Sequence, residues 1–169
     1  MKSKIWKTIE NIEYYNSIEC LKDLKNKKYI CSEWIKDIFS KKGFEFSKYD
    51  YPLHLIRIKV SDFGFKGPIQ LQELYDKIRK NNFLLVPPEI ALYSRLIYDE
   101  QPTGEWLRFA TPMNELKDSD NVPHLPKLGR ALGKFFIETY WSYPKAIFHP
   151  SNEFVVMKKN ESSKASIYK

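Results

Sequence analysis

Between Leu53 and Val60 the chain alternates, with His54, Ile56, Ile58 and Val60 on one side and Arg57 and Lys59 on the other. Successive side chains of a strand point to opposite faces, so this pattern predicts a half-buried strand and excludes an all-helical bundle. The residues before it have the other period. Ser17 is placed to cap a helix whose Ile18, Leu21 and Leu24 share one face; Ser32 is placed to cap a second that buries Trp34, Ile35, Ile38 and Phe39 and ends near Gly43. Residues 1–48 therefore read as a Lys-rich helical section, a two-helix cap with solvated charges in preference to a basic arm gripping an anion.

Beyond the strand, Pro68 stands at the first turn of a helix that carries Leu71, Leu74, Tyr75 and Ile78 inward and ends near Asn81 and Asn82. Phe83 to Val86 is a short apolar run closed by Pro87 and Pro88, which lack amide donors and take the chain out of regular pairing. Tyr93 to Tyr98 and Glu105 to Thr111 read as hairpin partners, with Gly104 supplying a positive φ in the loop between them. Leu125 to Ala131 and Lys134 to Tyr140 read as a second hairpin turning at Leu132-Gly133, and Phe154 to Met157 as the last strand. The expected fold is α+β, an N-terminal helical section followed by a mainly antiparallel sheet with one packed helix. It forms a single domain over 1–159, divided into 1–48 and a sheet-containing core at 53–158, with 160–169 as a disordered tail.

An apolar content of 43% with 15% aromatic residues is enough for a folded core in 169 residues. The net charge of +7 suits a polyanion such as nucleic acid, or an acidic protein. Most of that charge is Lys, and the abundance of Asn, Ile, Tyr and Phe beside it is also what an AT-rich coding sequence produces. Cys20 and Cys31 lack Cys-x-x-Cys or a nearby His, which removes zinc spacing and suits buried thiols in a reducing compartment. No secretory run follows Lys2, Lys4 and Lys7, and no stretch reaches membrane-span length, so the expectation is a cytoplasmic protein with no membrane partner. There is no Gly-rich phosphate loop, no His-Glu-x-x-His and no recognisable Ser-His-Asp spacing; no cofactor is expected.

Costly side chains gather in one place, at Glu89, Arg95, Tyr98, Gln101, Glu105, Trp106 and Arg108. Strand parity places Arg95 with Tyr93 and Ile97, and Glu105 with Leu107 and Phe109, so the two are expected as an internal structural ion pair. Tyr98, Gln101, Trp106 and Arg108 remain for contact with a partner, arginine for an anion and the rings for stacking. A non-enzymatic binding module follows, nucleic acid ahead of protein as its partner. One alternative is a small enzyme using Glu105 or Glu89 with Arg95; another is an interaction protein of inhibitor or immunity type, with Trp106 and the tyrosines as hot spots. Asp118, Asp120 and His124 read as turn chemistry in preference to a metal site.

The run Arg95-Leu-x-Tyr98-x-x-Gln101-Pro102-x-Gly104-Glu105-Trp106-Leu107, with Pro88-Glu89 before it and Asp118-Ser119-Asp120 after, resembles a group of small bacterial proteins with an Arg-Leu-x-Tyr-x-Asp-Gln-Pro-x-Gly-Glu-Trp-Leu core. The likeness runs from about Trp6 to Met157. Where that group usually has glycine after Asp-Ser-Asp, this chain has Asn121. The resemblance implies family membership and no activity.

Overall fold

A computed structural model describes residues 3–41 and 44–160; the expected helix stop at Gly43 and the tail beyond Asn160 lie outside the described residues. The strands are β1 (Ile5–Ile9), β2 (Ile30–Cys31), β3 (Leu53–Lys59), β4 (Ile69–Gln70), β5 (Phe83–Leu84), β6 (Trp106–Phe109), β7 (His124–Ala131), β8 (Lys134–Trp141), β9 (Ile147–Phe148) and β10 (Glu153–Lys158). The helices are α1 (Ser17–Asn26), α2 (Glu33–Lys41), α3 (Leu71–Lys80) and α4 (Pro88–Ile97).

The large sheet has the order β1-β3-β10-β6-β7-β8-β2, with β5 attached to β10, while β4 and β9 make a separate ribbon. It is mixed, because β10 runs parallel to β6 and β2 parallel to β8. The expected mainly antiparallel sheet is corrected accordingly. So is the helical N-terminal section, which contributes both outermost strands of the sheet, β1 and β2. Pairing partners far along the chain, not the local period, make strands of such short segments.

Helices cover both faces. On one, α1, α2 and α4 bury Leu24, Ile35, Phe39 and Ile90 against Leu53, Leu55 and Val155 of the sheet; on the other, α3 buries Leu74, Tyr75 and Ile78 against Ile56, Ile58 and Phe154. Both Leu55 and Ile56 are therefore fully buried, and β3 is a central strand instead of a half-buried one. Asn16, not Ser17, caps α1, its Oδ1 accepting from the amides of Ile18 and Glu19. Ser32 Oγ does accept from the Ile35 amide, but Trp34, expected inside, is 47% exposed. The helix expected from Pro68 starts at Leu71, with Glu73 reaching back to the Gln70 amide.

The largest departure is α4, a helix where a strand over Tyr93 to Tyr98 is expected. Pro88 fits its first position, Glu89 its positive end and Arg95 its last turn. Ile90, Ala91, Leu92, Ser94 and Arg95 are all buried, so the helix shows no polar stripe by which its period could be read. The second hairpin stands as expected, with Leu132 and Gly133 at φ 50° and 70° in its two-residue turn.

Candidate functional site

The turn after α4 brings the motif residues together inside the protein. Arg95, with no exposed surface, donates through Nη1 to Gln101 Oε1 (2.6 Å), Gly129 O (3.1 Å) and Phe136 O (3.2 Å), and through Nη2 to Tyr98 O. Its guanidinium lies 4.8 Å from the Phe135 ring centroid, and burial pulls its pKa down to about 10. Gln101, also fully buried, donates through Nε2 to the carbonyls of Glu105 (3.2 Å) and Leu128 (3.1 Å). These bonds tie α4 to the β6 entry and the β7–β8 ladder; Gly104, at φ 87°, donates its amide to Arg130 O at 2.7 Å.

The expected Arg95–Glu105 ion pair is not formed. Helical geometry turns Arg95 towards carbonyls, and the partner of Glu105 is Arg57 of β3, which also donates to Glu153 at 2.7 and 3.0 Å and to Tyr98 Oη at 3.0 Å. Tyr98 Oη donates to the second Glu105 oxygen at 2.6 Å, while Trp6 meets the Tyr98 ring edge-on at 4.9 Å. Burial works against the charge on Arg57, yet its bonds to Glu105 and Glu153 raise its pKa above the ordinary arginine value; burial, then the Glu105 bond, push Tyr98 up to about 12. Tyr98 and Gln101, expected to meet a partner, are thus buried inside the protein.

Both carboxylates considered for acid–base work are engaged by other side chains, Glu105 at both oxygens and Glu89 at one, its Oε2 being buried with no hydrogen-bond partner among the described residues. Glu105 has its two oxygens on Arg57 and Tyr98; Glu89, fully buried, accepts from Tyr49 Oη and pairs with Lys48 at 3.1 Å. The Asp118–Asp120–His124 segment is a turn: Asp118 Oδ1 accepts from the amides of Asp120 and Val122, and Oδ2 lies 2.9 Å from His124 Nε2. Asn121 adopts φ 64°, a left-handed conformation that asparagine tolerates better than most residues. Among the described residues no cluster of His, Cys, Asp and Glu is built to hold a metal.

Trp106 and Arg108 have a different setting. They share the sheet face that α3 covers at its β3–β10 end, but β6, β7 and β8 continue past that cover. The register sets Arg108 directly opposite Lys127, and Lys127 opposite Glu138; Trp106 is opposite Gly129, and Gly129 opposite Phe136. All but Gly129, which is buried, are partly exposed. A Cβ on Gly129 would lie 2.3–2.6 Å from three atoms of the Trp106 six-membered ring, so the indole packs directly on the glycine backbone. Lys127 Nζ sits 4.8 Å from the Trp106 centroid, and the Arg108 guanidinium 5.9 Å from the rings of Tyr140 and Phe148.

Opposed like charges cost stability in a sheet. Burial lowers the pKa of Arg108, and burial with the neighbouring Arg108 outweighs Glu138 in lowering that of Lys127. Arg108 Nε is buried with no hydrogen-bond partner among the described residues. Two half-desolvated cations side by side would both gain from an anion between or above them. Lys127, Phe136 and Tyr140 escape the sequence reading because the pairing of β6 with β7 spans a loop whose length does not specify register. The alternation of Lys127 and Gly129 around buried Leu128 is the one signal that marks this face.

Comparison with protein-family models, with curated proteins and with solved structures finds no match for the chain. Among the described residues no helix is long and apolar enough to cross a membrane.

Proposed function

We propose that the chain is a non-enzymatic binding module for single-stranded nucleic acid, and that it binds on the β6–β7–β8 face. The observation that carries this reading is the register pair Arg108–Lys127, two cations set against each other beside the Trp106 ring. Phosphates would lie on the cations while bases stack on Trp106 and Tyr140, the combination that single-strand binders use. The net charge of +7 adds long-range attraction. In this reading the Arg95 to Leu107 core shared with the bacterial group is scaffold, and its role is to present Trp106 and Arg108. A reducing, cytoplasmic setting suits it.

Anisotropy of fluorescein-labelled mixed-sequence DNA and RNA oligomers tests the proposal. Binding should weaken steeply with salt, because each neutralised phosphate releases counterion, and should fall about tenfold in Arg108→Ala and in Lys127→Ala. No anisotropy change at low salt, or binding indifferent to salt and to both substitutions, refutes it. The interaction-protein reading has its own observation: Trp34, Trp141 and Tyr143 are 47%, 45% and 45% exposed and touch one another in series. A contact there would survive Arg108→Ala and be lost in Trp141→Ala.

A further inference from the structure

The sheet ends at β2, and the outer side of that strand opens into a groove of about 730 Å³ between α1 and α2. Ser32 donates its amide to Ile137 O at 3.0 Å, and β2 pairs Ile30 with Phe136 and Cys31 with Ile137. Backbone groups of successive strand residues point to alternate sides, so the Cys31 N–H and C=O face away from β8 and into the groove. Among the described residues no strand pairs with this edge, and such an edge is a template for another strand.

The walls are unequal. On α2, Glu33 is engaged by Lys36 at 2.7 Å, and Asp37 by Lys41 and by Ser119 Oγ at 2.7 Å. On α1, Lys22 and Lys25 line the groove, are exposed, and make no ion pair among the described residues. Leu21 and Tyr29 give the groove its apolar part.

We infer that this groove takes an extended, acidic peptide segment of a partner protein, which adds a strand to β2 and sets its carboxylates on Lys22 and Lys25. Main-chain bonds to Cys31 would provide affinity, an apolar side chain would pack on Leu21 and Tyr29, and alternate acidic side chains would reach the lysines. The site is separate from the nucleic-acid face and does not rest on it.

The probe is a fluorescein-labelled peptide in which glutamate alternates with valine, added to the full chain. Two comparators accompany it: lysine in place of glutamate, and the glutamate peptide N-methylated on alternate amides so that it cannot pair as a strand. Anisotropy should rise with the first peptide alone, and backbone amide shifts should concentrate at residues 29–32. The exposed double variant Lys22→Glu with Lys25→Glu, its folding checked by circular dichroism, should weaken binding at least about tenfold, or about 1.4 kcal/mol. Equal binding of the N-methylated or the lysine peptide, shifts centred elsewhere, an unchanged affinity in the double variant, or no binding of any peptide overturns the inference.

Discussion

Replacing Arg95 by methionine isolates the value of the buried hydrogen-bond hub, because methionine keeps most of the side-chain volume and removes every donor. Four acceptors lose their partner: Gln101 Oε1 and the carbonyls of Tyr98, Gly129 and Phe136. A buried acceptor left without a partner costs about 1–3 kcal/mol; the lower figure applies to a carbonyl that can still use its second lone pair. Four at about 1 kcal/mol each give about 4 kcal/mol, within the range of about 3–5 kcal/mol for removing one side of a buried charged contact. The relief of guanidinium desolvation, visible as the depressed arginine pKa, acts in the other direction and keeps the total near the bottom of that range. With total stability of about 5–15 kcal/mol, the loss should move a urea midpoint by about 1.5–2 M at a slope near 2 kcal/mol/M. Tryptophan fluorescence during urea unfolding measures it, with Lys36→Met as a surface control expected to leave the midpoint unchanged. An Arg95→Met protein within about 1 kcal/mol of wild type at unchanged slope would refute the reasoning. It would mean that the hub adds orientation and no stability.

Arg57→Leu leaves Glu105 and Glu153 without their shared cation and should destabilise by about 2–4 kcal/mol; a double-mutant cycle with Glu153→Gln should recover part of that loss, and strict additivity would contradict the network. Gly129→Ala must displace the Trp106 ring, so it should cost about 1–2 kcal/mol in stability and shift the tryptophan emission maximum, while an unchanged spectrum and affinity for oligonucleotides would show that the indole is not held there. Asp37 is pulled down to about 2, chiefly by its bond to Lys41 and then by Ser119. Its folded pKa lies below the unfolded one, so its contribution is present above about pH 4 and fades as pH falls towards 2. The stability difference between wild type and Asp37→Asn should therefore be flat above pH 5 and shrink on acidification, and a pH-independent difference would contradict the assignment. Tyr98, pushed up to about 12, has the opposite sign: its contribution is whole below pH 10 and declines from there towards 12, so Tyr98→Phe should flatten the alkaline limb of the stability profile.

Local pattern settled much of this protein. The strand at Leu53–Lys59, the helix carrying Leu71, Leu74, Tyr75 and Ile78, and the turn at Leu132-Gly133 are each written within about ten residues, and the structure keeps all three, although it buries both faces of the strand. So are the mixed α/β class and the concentration of costly side chains between Glu89 and Arg108. Tertiary structure decided the rest. Because α4 is buried almost all round, its sequence carries no amphipathic stripe, and only the space between the sheet and the other helices makes it a helix. That single change reassigns Arg95 from Glu105 to backbone carbonyls and moves Tyr98 and Gln101 from surface to interior. The pairing of Arg57 with Glu105, and of Arg108 with Lys127, depends on strand order and register across long loops, which no local period encodes. The sequence alone determines which side chains are costly to place, and the register of the mixed sheet determines which of them are left facing solvent.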